Sequence, residues 1–368
     1  MAAQDRPDRG RSHQARPDQA RPDRSHQARP DREARPDQGH GVTFYREADS
    51  DPNALAGQRV AVIGYGNLGS SMALNLRDAG LDVVVGNLDD EYRPRAAADG
   101  FEVLDIADAT AQADIVYLLI ADETIPGCFA GAVAPALVPG SALCFASGYC
   151  LAYGLVDVPE GMDVLLLAPR MGGEVVRRAA TGGPGFVSYV SVERDATGKG
   201  LTRLLGLAAA SGSLRRGALA LTAAEEATLD LMVEQTVGPY LGVAIQHAFA
   251  LGLQAGLPAE ALVLELYMSG EMSEVLRGFA EEGFFKSVTA HGLVAAYGGF
   301  LRTMAVDGTA MRQLFEAVLE DIRSGGFATK LQEEEAKGYP ALAALDAITA
   351  GTDPMSQAEA RVRAALAR

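Results

Sequence analysis

The chain has 368 residues, of which 48% are hydrophobic, and this is enough for a sizeable core in two domains. Its formal net charge of -16 argues against nucleic acid and anionic membrane surfaces as partners, because like charges repel. The 3 cysteines include no Cys-x-x-Cys pair, which favours a reducing compartment over a disulfide framework or a zinc site. We therefore predict a cytoplasmic protein that binds a small molecule.

Residues 1–41 are a low-complexity segment. The unit Gln-Ala-Arg-Pro-Asp starts at Gln14, Gln19 and Gln27, and a variant of it starts at Glu33. Prolines recur regularly and apolar side chains other than alanine are almost missing, so this segment lacks the surface to bury a core. We predict a disordered arm over residues 1–41. A start of translation downstream of this arm is an alternative that the sequence leaves open.

A glycine-rich turn follows an apolar run at Val60–Ile63, and a helical pattern begins directly after the turn. In the pattern G-x-G-x-x-G the first glycine permits a tight bend and the second lets the backbone approach a pyrophosphate. The third glycine lets the helix pack closely on the strand, and the helix start offers free N–H groups to phosphates. We predict a nicotinamide or flavin dinucleotide site; a glycine-rich turn without a ligand is the alternative. The predicted cofactor-binding residues of the turn are Gly64, Tyr65, Gly66, Asn67, Leu68 and Gly69.

Apolar runs alternate with helical or turn segments up to residue 219, which is typical of βαβ units with a parallel sheet. The predicted strands are Val60–Ile63, Val83–Val85, Ile115–Ile120, Ala142–Ala146, Val164–Ala168 and Gly185–Val192. Beyond residue 220, apolar residues recur three and four apart, which predicts long helices over 223–252, 259–281 and 311–324. We predict an α/β Rossmann-type domain over residues 42–219, an all-α domain over 220–345 and a helical tail over 346–368.

An acidic loop follows the second predicted strand, about 20 residues after the glycines. It contains Asp89, Asp90 and Glu91, and Arg93 and Arg95 come next. An acid at this distance commonly binds the ribose 2′-hydroxyl of NAD, and three acids repel the 2′-phosphate of NADP. Since either arginine is long enough to reach such a phosphate, the sequence favours NAD and leaves NADP open. A solvated loop without contact to the cofactor is the alternative.

Two carboxylates share one face of a predicted helix. Asp230 and Glu234 are four residues apart, Glu226 extends the same face by one turn, and a second predicted helix carries Glu265. Carboxylates that converge from two helices form a hard oxygen site that suits Mg²⁺. From spacing alone a solvated acidic face is the commoner explanation, although the apolar neighbours of Asp230 indicate a partly buried helix.

Further motifs occur in order along the chain. These blocks are Val62–Gly66, Asn75–Gly80, Leu119–Glu123, Phe145–Gly148, Ala168–Arg170, Asp230–Gln235, Ala295–Gly298 and Asp321–Ala328. Together they resemble the ketol-acid reductoisomerases of branched-chain amino-acid biosynthesis, in the short class I form, over residues 42 to about 345. The resemblance implies a nucleotide-binding domain followed by a knotted, intertwined all-α domain. It also implies homodimers or higher homo-oligomers built through the helices.

The resemblance also implies roles for single residues. In that family two Mg²⁺ ions hold a 2-hydroxy-keto acid, an alkyl group shifts, and a nicotinamide hydride reduces the new ketone. By this likeness Asp230 bridges both metals, Glu234 binds the first metal, and Glu265 contributes to the metal and substrate site from the second helix. Ser147 stands beside the nicotinamide, and Arg170 is expected to hold the carboxylate of the substrate.

Several of these positions depart from the family's pattern. Ser269 stands where the family has a second glutamate, and losing a carboxylate weakens a metal site that polarises substrate oxygens. Ser147 replaces a histidine, and serine is a poor general base without a partner. Arg170 replaces a lysine; arginine grips a carboxylate with two hydrogen bonds but does not exchange a proton as lysine does.

Two further departures lie near the predicted pocket. Ser70 replaces a histidine after the nucleotide glycines, and Gly292 replaces a serine that binds substrate. His291, next to Gly292, is a candidate replacement for the missing acid–base group, with a structural histidine as the alternative. So many changes in one site favour a rebuilt pocket over random drift.

The leading hypothesis is an enzyme that keeps NAD or NADP and Mg²⁺ but acts on a different 2-hydroxy or 2,3-dihydroxy acid in specialised metabolism. Rearrangement and closure of a cyclopropanol ring are reactions that such a pocket is expected to support. An authentic ketol-acid reductoisomerase of valine and isoleucine biosynthesis is the first alternative. A non-catalytic NAD-binding protein or inactive paralogue is the second.

Overall fold

The structure, a computed structural model, describes residues 42–287, 292–343 and 351–367. Its strands form one sheet of nine strands, and helices cover both faces. The predicted α/β fold is therefore confirmed; the predicted disordered arm over 1–41 lies outside the described residues. The strands are β1 Phe44–Tyr45, β2 Arg59–Ile63, β3 Asp82–Gly86, β4 Glu102–Leu104, β5 Ile115–Leu118, β6 Ala142–Phe145, β7 Asp163–Pro169, β8 Val187–Arg194 and β9 Gly217–Ala220.

The strand order is β1-β9-β8-β7-β6-β5-β2-β3-β4. From β4 to β7 all neighbouring strands run parallel, and the direction of winding reverses between β2 and β5. In open α/β sheets, ligands bind outside the carboxyl ends of the strands at such a reversal. The glycine-rich turn follows β2, so it lies at this position in the fold.

The predicted parallel sheet is wrong at one edge. β8 pairs antiparallel with β7, and β1 pairs antiparallel with β9. After β7 the chain passes through one helix and re-enters the sheet at the end it left, whereas a parallel pair needs a crossover to the other end. An apolar run predicts a strand but does not predict the direction in which that strand pairs. Three short strands contain no clear apolar run and were not predicted: β1, β4 and β9.

The helices of the sheet-containing half alternate with its strands, and the second half is helical throughout its described residues. The helices are α1 Asn67–Asp78, α2 Tyr92–Ala98, α3 Ile106–Ala111, α4 Ile125–Cys128, α5 Tyr149–Ala152, α6 Gly173–Gly182, α7 Gly200–Ser211, α8 Ala223–Gln235, α9 Val237–Gln254, α10 Ala259–Val263, α11 Glu271–Glu282, α12 Phe284–Ser287, α13 Leu293–Ala305, α14 Thr309–Arg323, α15 Gly326–Ala336 and α16 Pro354–Leu366. A π-helical turn at Leu264–Met268 follows α10.

Two of the predicted long helices are interrupted. The helix predicted over 223–252 breaks at Thr236, whose φ of -118° and ψ of -75° depart from the values of a regular α-helix. Pro239 lacks the N–H that would bond to the carbonyl oxygen of Gln235, so α9 starts anew with the proline in its first turn. The helix predicted over 259–281 breaks at Gly270, which has a left-handed φ of 87°. The helix predicted over 311–324 is present as α14.

Apolar clusters cover both faces of the sheet. One includes Met72 of α1 and Leu204 of α7, and the other includes Phe129 and Phe145. A smaller cluster joins α9, α10 and α16 around Val263. Among the described helices none is long and apolar enough to cross a membrane.

The change from sheet to helices falls between β9 and α8. β9 ends at Ala220, and α8 begins at Ala223 after Thr222, whose hydroxyl accepts a hydrogen bond from the backbone N–H of Glu225. This cap fixes where α8 starts and so which of its side chains face the sheet. The domain boundaries at 219 and 345 stay a prediction, and α16 lies in the segment predicted as a helical tail.

Candidate active site

The glycine-rich turn has the geometry that a bound pyrophosphate requires. Gly64 has a φ of +96°, which residues with a Cβ rarely adopt. A Cβ on Gly69 would lie 2.1 Å from the carbonyl oxygen of Gly64, so α1 approaches β2 this closely only with glycine there. A Cβ on Gly66 would meet no atom within 4 Å, so space is open beside the turn. No side chain caps the N-terminus of α1, which leaves its N–H groups available to phosphates.

The other predicted residues of the turn differ in what their side chains do. Tyr65 is fully buried, and its hydroxyl donates a hydrogen bond to Asp99 at 2.7 Å. Burial, with the Asp99 carboxylate beside it, raises the pKa of Tyr65. Asn67 is exposed at the start of α1, and Leu68 lines a cavity. Tyr65 therefore supports the turn from inside, and its backbone alone lies at the predicted cofactor site.

The acidic loop after β3 is tied down by its own residues. Asp90 accepts hydrogen bonds from the side-chain amide of Asn87 at 2.8 Å and from the backbone N–H of Tyr92 at 2.9 Å. Arg93 forms an ion pair with Asp105 at 2.8 Å. Asp89 is exposed. The structure thus keeps Asp89 and Asp90 in the loop after β3 and Arg93 in the first turn of α2, and their predicted roles toward the cofactor stay predictions.

Two cavities lie at the carboxyl ends of the strands. The first is lined by Leu68, Ile120, Asp122 and Ser147, among others, and so adjoins the glycine-rich turn. The second is lined by Pro169, Arg170, Met171, Tyr189, Leu229, Asp230, Val233 and Glu234. Four of the predicted catalytic residues, Ser147, Arg170, Asp230 and Glu234, therefore line one cavity or the other.

Arg170 lies at the end of β7 between the sheet and α8. Its Nη1 atom is 3.0 Å from Glu226 Oε1 and 3.2 Å from Asp230 Oδ1. Its guanidinium also stacks over the ring of Tyr189, with 4.9 Å between the guanidinium carbon and the ring centroid. Arg170 therefore faces two carboxylates of the same helix, and one of them is the predicted bridging metal ligand.

Glu226 is a buried residue of the candidate site whose place there the sequence indicated only weakly. Its side chain is 1% exposed, and its Oε2 accepts a hydrogen bond from the backbone N–H of Gly148 at 2.7 Å. Burial raises the pKa of Glu226, although the Gly148 N–H and the charge of Arg170 both lower it. Its spacing of four residues from Asp230 was the available signal, and only the fold shows that this face of α8 contacts Arg170 and Gly148.

The carboxylates around the two cavities act on one another. Burial raises the pKa of Asp122, the hydroxyl of Ser147 lowers it by hydrogen bonding, and the charges of Glu123, Asp230 and Glu234 raise it again. Burial and the charge of Asp230 raise the pKa of Glu234. The positive charge of Arg170 lowers this pKa but does not cancel the rise. Mutual repulsion of this kind is relieved when a cation binds between the groups.

The structure does not bring the whole predicted metal and substrate set together. Over residues 42–287, 292–343 and 351–367, no group of three His, Cys, Asp or Glu side chains is arranged to hold a metal. Asp230 and Glu234 share a face of α8, whereas Glu265 lies in the π-helical turn, whose neighbours pack against α16. Ser269 follows that turn, Gly292 precedes α13, and His291 lies outside the described residues.

Comparison with known proteins gives the family. Residues 54–217 match the family model of the NADPH-binding domain of acetohydroxy acid isomeroreductase, and residues 224–368 match that of the C-terminal domain of ketol-acid reductoisomerase. The chain belongs to the ketol-acid reductoisomerase family. It is therefore an oxidoreductase/isomerase of a family that uses NAD(P)H and Mg²⁺.

Relatives and a solved structure agree with this assignment. A ketol-acid reductoisomerase (NADP(+)) of Caldivirga maquilingensis is 35% identical over 293 residues, which are 79% of this chain and 88% of the relative. One from Leifsonia xyli subsp. xyli is 34% identical over 304 residues, 82% of this chain and 88% of the relative. The structure of an NADH-preferring ketol-acid reductoisomerase from an uncultured archean superposes with a TM-score of 0.83 at 27% identity, covering 87% of this chain and 98% of that one.

Proposed function

We propose that this chain catalyses the reductoisomerase reaction itself, on a 2-hydroxy-keto acid of the acetohydroxy acid type. The relatives that it resembles over most of their length carry that activity in their names. The observation that carries the proposal is the geometry of the second cavity, which Asp230 and Glu234 line together with Arg170, whose Nη1 atom is 3.2 Å from Asp230 Oδ1. Asp122 and Ser147 in the first cavity share hydrogen bonding, and the charges of Asp230 and Glu234 in the second act on Asp122.

The residues present would divide the work as follows. Asp230 and Glu234 would hold Mg²⁺, which polarises the hydroxyl and keto oxygens of the substrate when bound. Arg170, 3.2 Å from Asp230, would bind the substrate carboxylate once a metal occupies the carboxylates that it now contacts. Ser147 would orient the substrate beside the nicotinamide, and Asp122 would accept a hydrogen bond from the Ser147 hydroxyl.

One chain supplies only part of such a metal site. Two carboxylates of α8 face the second cavity, and the third predicted ligand, Glu265, lies on another part of the helical half. We infer that a second copy of the chain brings its Glu265 to this cavity, in a homodimer or larger assembly. Apolar side chains left exposed on the helices support this: Val294 is 89% exposed and Tyr297 is 64% exposed. A cytoplasmic location also stays a prediction, from cysteine usage.

A direct assay tests the proposal. Purified protein is mixed with Mg²⁺, 2-acetolactate and NADH or NADPH, and absorbance at 340 nm is followed. Rapid cofactor oxidation that needs Mg²⁺ and is absent in Asp230→Asn would support a true reductoisomerase. No oxidation by protein that binds the cofactor would reject acetohydroxy acids as substrates.

A second candidate function has its own supporting observation. Ser147, Arg170, Ser269 and Gly292 all differ from the residues that the resemblance assigns there, and Arg170 is held by Glu226 as well as by Asp230. A pocket changed at these points would suit a different 2-hydroxy or 2,3-dihydroxy acid in specialised metabolism, including rearrangement or cyclopropanol formation. Turnover of such acids with NAD⁺ and Mg²⁺, without turnover of 2-acetolactate, would favour it. Cofactor binding without any Mg²⁺-dependent turnover would favour a non-catalytic protein.

A further inference from the structure

Arg93, the cation nearest the acidic loop in sequence, is already engaged. Its Nη1 donates to the carbonyl oxygen of Asn87 at 3.1 Å and to Asp105 Oδ1 at 2.8 Å. Asp105 lies outside the loop, between β4 and α3, and its side chain is 75% exposed. Arg93 is thus held between the start of the acidic loop and the end of the next strand.

The acceptor Asn87 is itself fixed. It is buried, its side-chain oxygen accepts from the backbone N–H of Tyr65 at 3.0 Å, and its side-chain nitrogen donates to Asp90 Oδ1 at 2.8 Å. Its backbone N–H donates to the carbonyl of Leu104 at 3.1 Å. Every polar group of Asn87 therefore has a partner, and these contacts connect the glycine-rich turn to the acidic loop. The position of Arg93 is consequently set relative to the cofactor turn.

This arrangement bears on the choice between NAD and NADP. The two cofactors differ only at the ribose 2′ position, a hydroxyl in NAD and a phosphate in NADP, and a phosphate is bound best by a free guanidinium. Asp89, Asp90 and Glu91 repel a phosphate, and Asp105 neutralises Arg93. Burial and the Asp99 carboxylate raise the pKa of Tyr65, and the charge of Arg95, two residues beyond Arg93, lowers it.

We propose that Asp105 is a specificity-determining residue for the cofactor. By pairing with Arg93 it withholds that guanidinium from a 2′-phosphate, so the site selects NADH. The inference rests on the proposed nicotinamide-dependent function and adds to it a residue beyond the acidic loop. Removing the charge of Asp105 frees Arg93 and converts an anion-repelling loop into one with an available phosphate ligand.

The test measures binding, without substrate or turnover. Dissociation constants of NADH and NADPH are determined by isothermal titration calorimetry with the full-length protein and with Asp105→Asn. We expect the wild type to bind NADH more tightly, and Asp105→Asn to bind NADPH about fivefold more tightly with NADH changed less than about twofold. Asp108→Asn, which removes another exposed charge from α3 near Asp105, is the matched control and leaves both constants unchanged.

Double variants separate a direct effect from a general change of charge. If Arg93 is the freed ligand, Arg93→Ala in the Asp105→Asn background abolishes the gain for NADPH, whereas Arg95→Ala does not. An equal gain in Asp108→Asn, a gain that survives Arg93→Ala, or a wild type that prefers NADPH would each overturn the inference and leave the reductoisomerase proposal standing. A protein that binds neither cofactor would end both.

Discussion

The two halves of this molecule differ in how completely they bury their apolar side chains. In residues 42–220 the sheet is covered on both faces, and its inner strands β2, β3, β5, β6 and β7 are almost completely buried. In the described helices from residue 223 onward, the buried apolar set is small, and Phe285, Leu293 and Val294 are each more than four-fifths exposed. The first half thus covers its own core, whereas the second leaves large apolar side chains exposed, as expected of a surface that binds another chain.

The same contrast applies to the two parts of the site. The glycine-rich turn and the acidic loop, which form the predicted cofactor part, are joined by hydrogen bonds from Tyr65 to Asn87 and from Asn87 to Asp90. The metal half has Asp230 and Glu234 on α8, with Glu265 on a separate part of the helical region. This contrast predicts that substitutions in the first half act on folding and cofactor binding, and that those in the second act on metal binding and assembly.

The largest expected effect is a loss of stability in the sheet-containing half, residues 42–220. Asp163 is fully buried and accepts hydrogen bonds from Arg203 at 2.8 Å and from the hydroxyl of Thr197 at 2.7 Å. Asp163→Asn leaves the buried Arg203 guanidinium without its counter-charge, which costs about 3–5 kcal/mol of the free energy of unfolding. Urea denaturation followed by circular dichroism measures this. Asp157→Asn, at an exposed position, is the control, and equal midpoints in the two variants would contradict the prediction.

The next effect concerns the metal half. Asp230→Asn removes a charge from the predicted bridging ligand while keeping the shape of the side chain, so Mg²⁺-dependent turnover falls by at least about a hundredfold. NADH binding stays within about twofold of the wild type, because Asp230 has no contact with the glycine-rich turn. Turnover is followed at 340 nm and binding by fluorescence. Retained turnover would mean that Asp230 holds no essential metal.

The sequence predicts best what depends on neighbouring residues. The glycine-rich turn, the apolar strands on either side of it and the shared face of Asp230 and Glu234 all follow from spacing over a few residues. The break between α8 and α9 at Thr236 also has a local signal, because Pro239 disfavours a continuous helix. The prediction of one long helix gave more weight to the apolar spacing than to this proline. Local patterns thus identified most elements and their main residues.

What the sequence could not predict depends on distant contacts. The direction of β8 is set by pairing with β7, and the burial of Glu226 is set by Gly148 and by Arg170, which is 56 residues away along the chain. The ion pair between Asp105 and Arg93 joins residues twelve positions apart and follows from the fold, since no local pattern indicates it. The proposed role of Glu265 in a metal site depends on a second copy of the chain, which spacing along one sequence does not describe.

A third prediction tests whether the helical half needs a partner. Val294 lies on α13 and is 89% exposed. Val294→Glu places a charge on this apolar surface, so we expect dissociation toward monomers and at least about a tenfold loss of turnover with unchanged NADH binding. Light scattering after size-exclusion chromatography gives the assembly state. Val138→Glu, at a partly exposed apolar position in the sheet-containing half, is the control; dissociation of that variant alone would move the interface to the other half.

The smallest effect is the pH dependence of stability that Asp163 contributes. Burial raises the pKa of its carboxyl, but hydrogen bonds from Thr197 and Arg203 together outweigh burial, so the pKa lies below the ordinary value of 3.8. A carboxyl with a lowered folded-state pKa stabilises the fold above its unfolded pKa, and this stabilisation is lost as pH falls through the folded pKa. Wild-type urea midpoints should therefore drop below about pH 4 more steeply than those of Asp163→Asn, whose side chain does not titrate. Parallel curves for the two proteins would show that another carboxylate governs acid unfolding of this half.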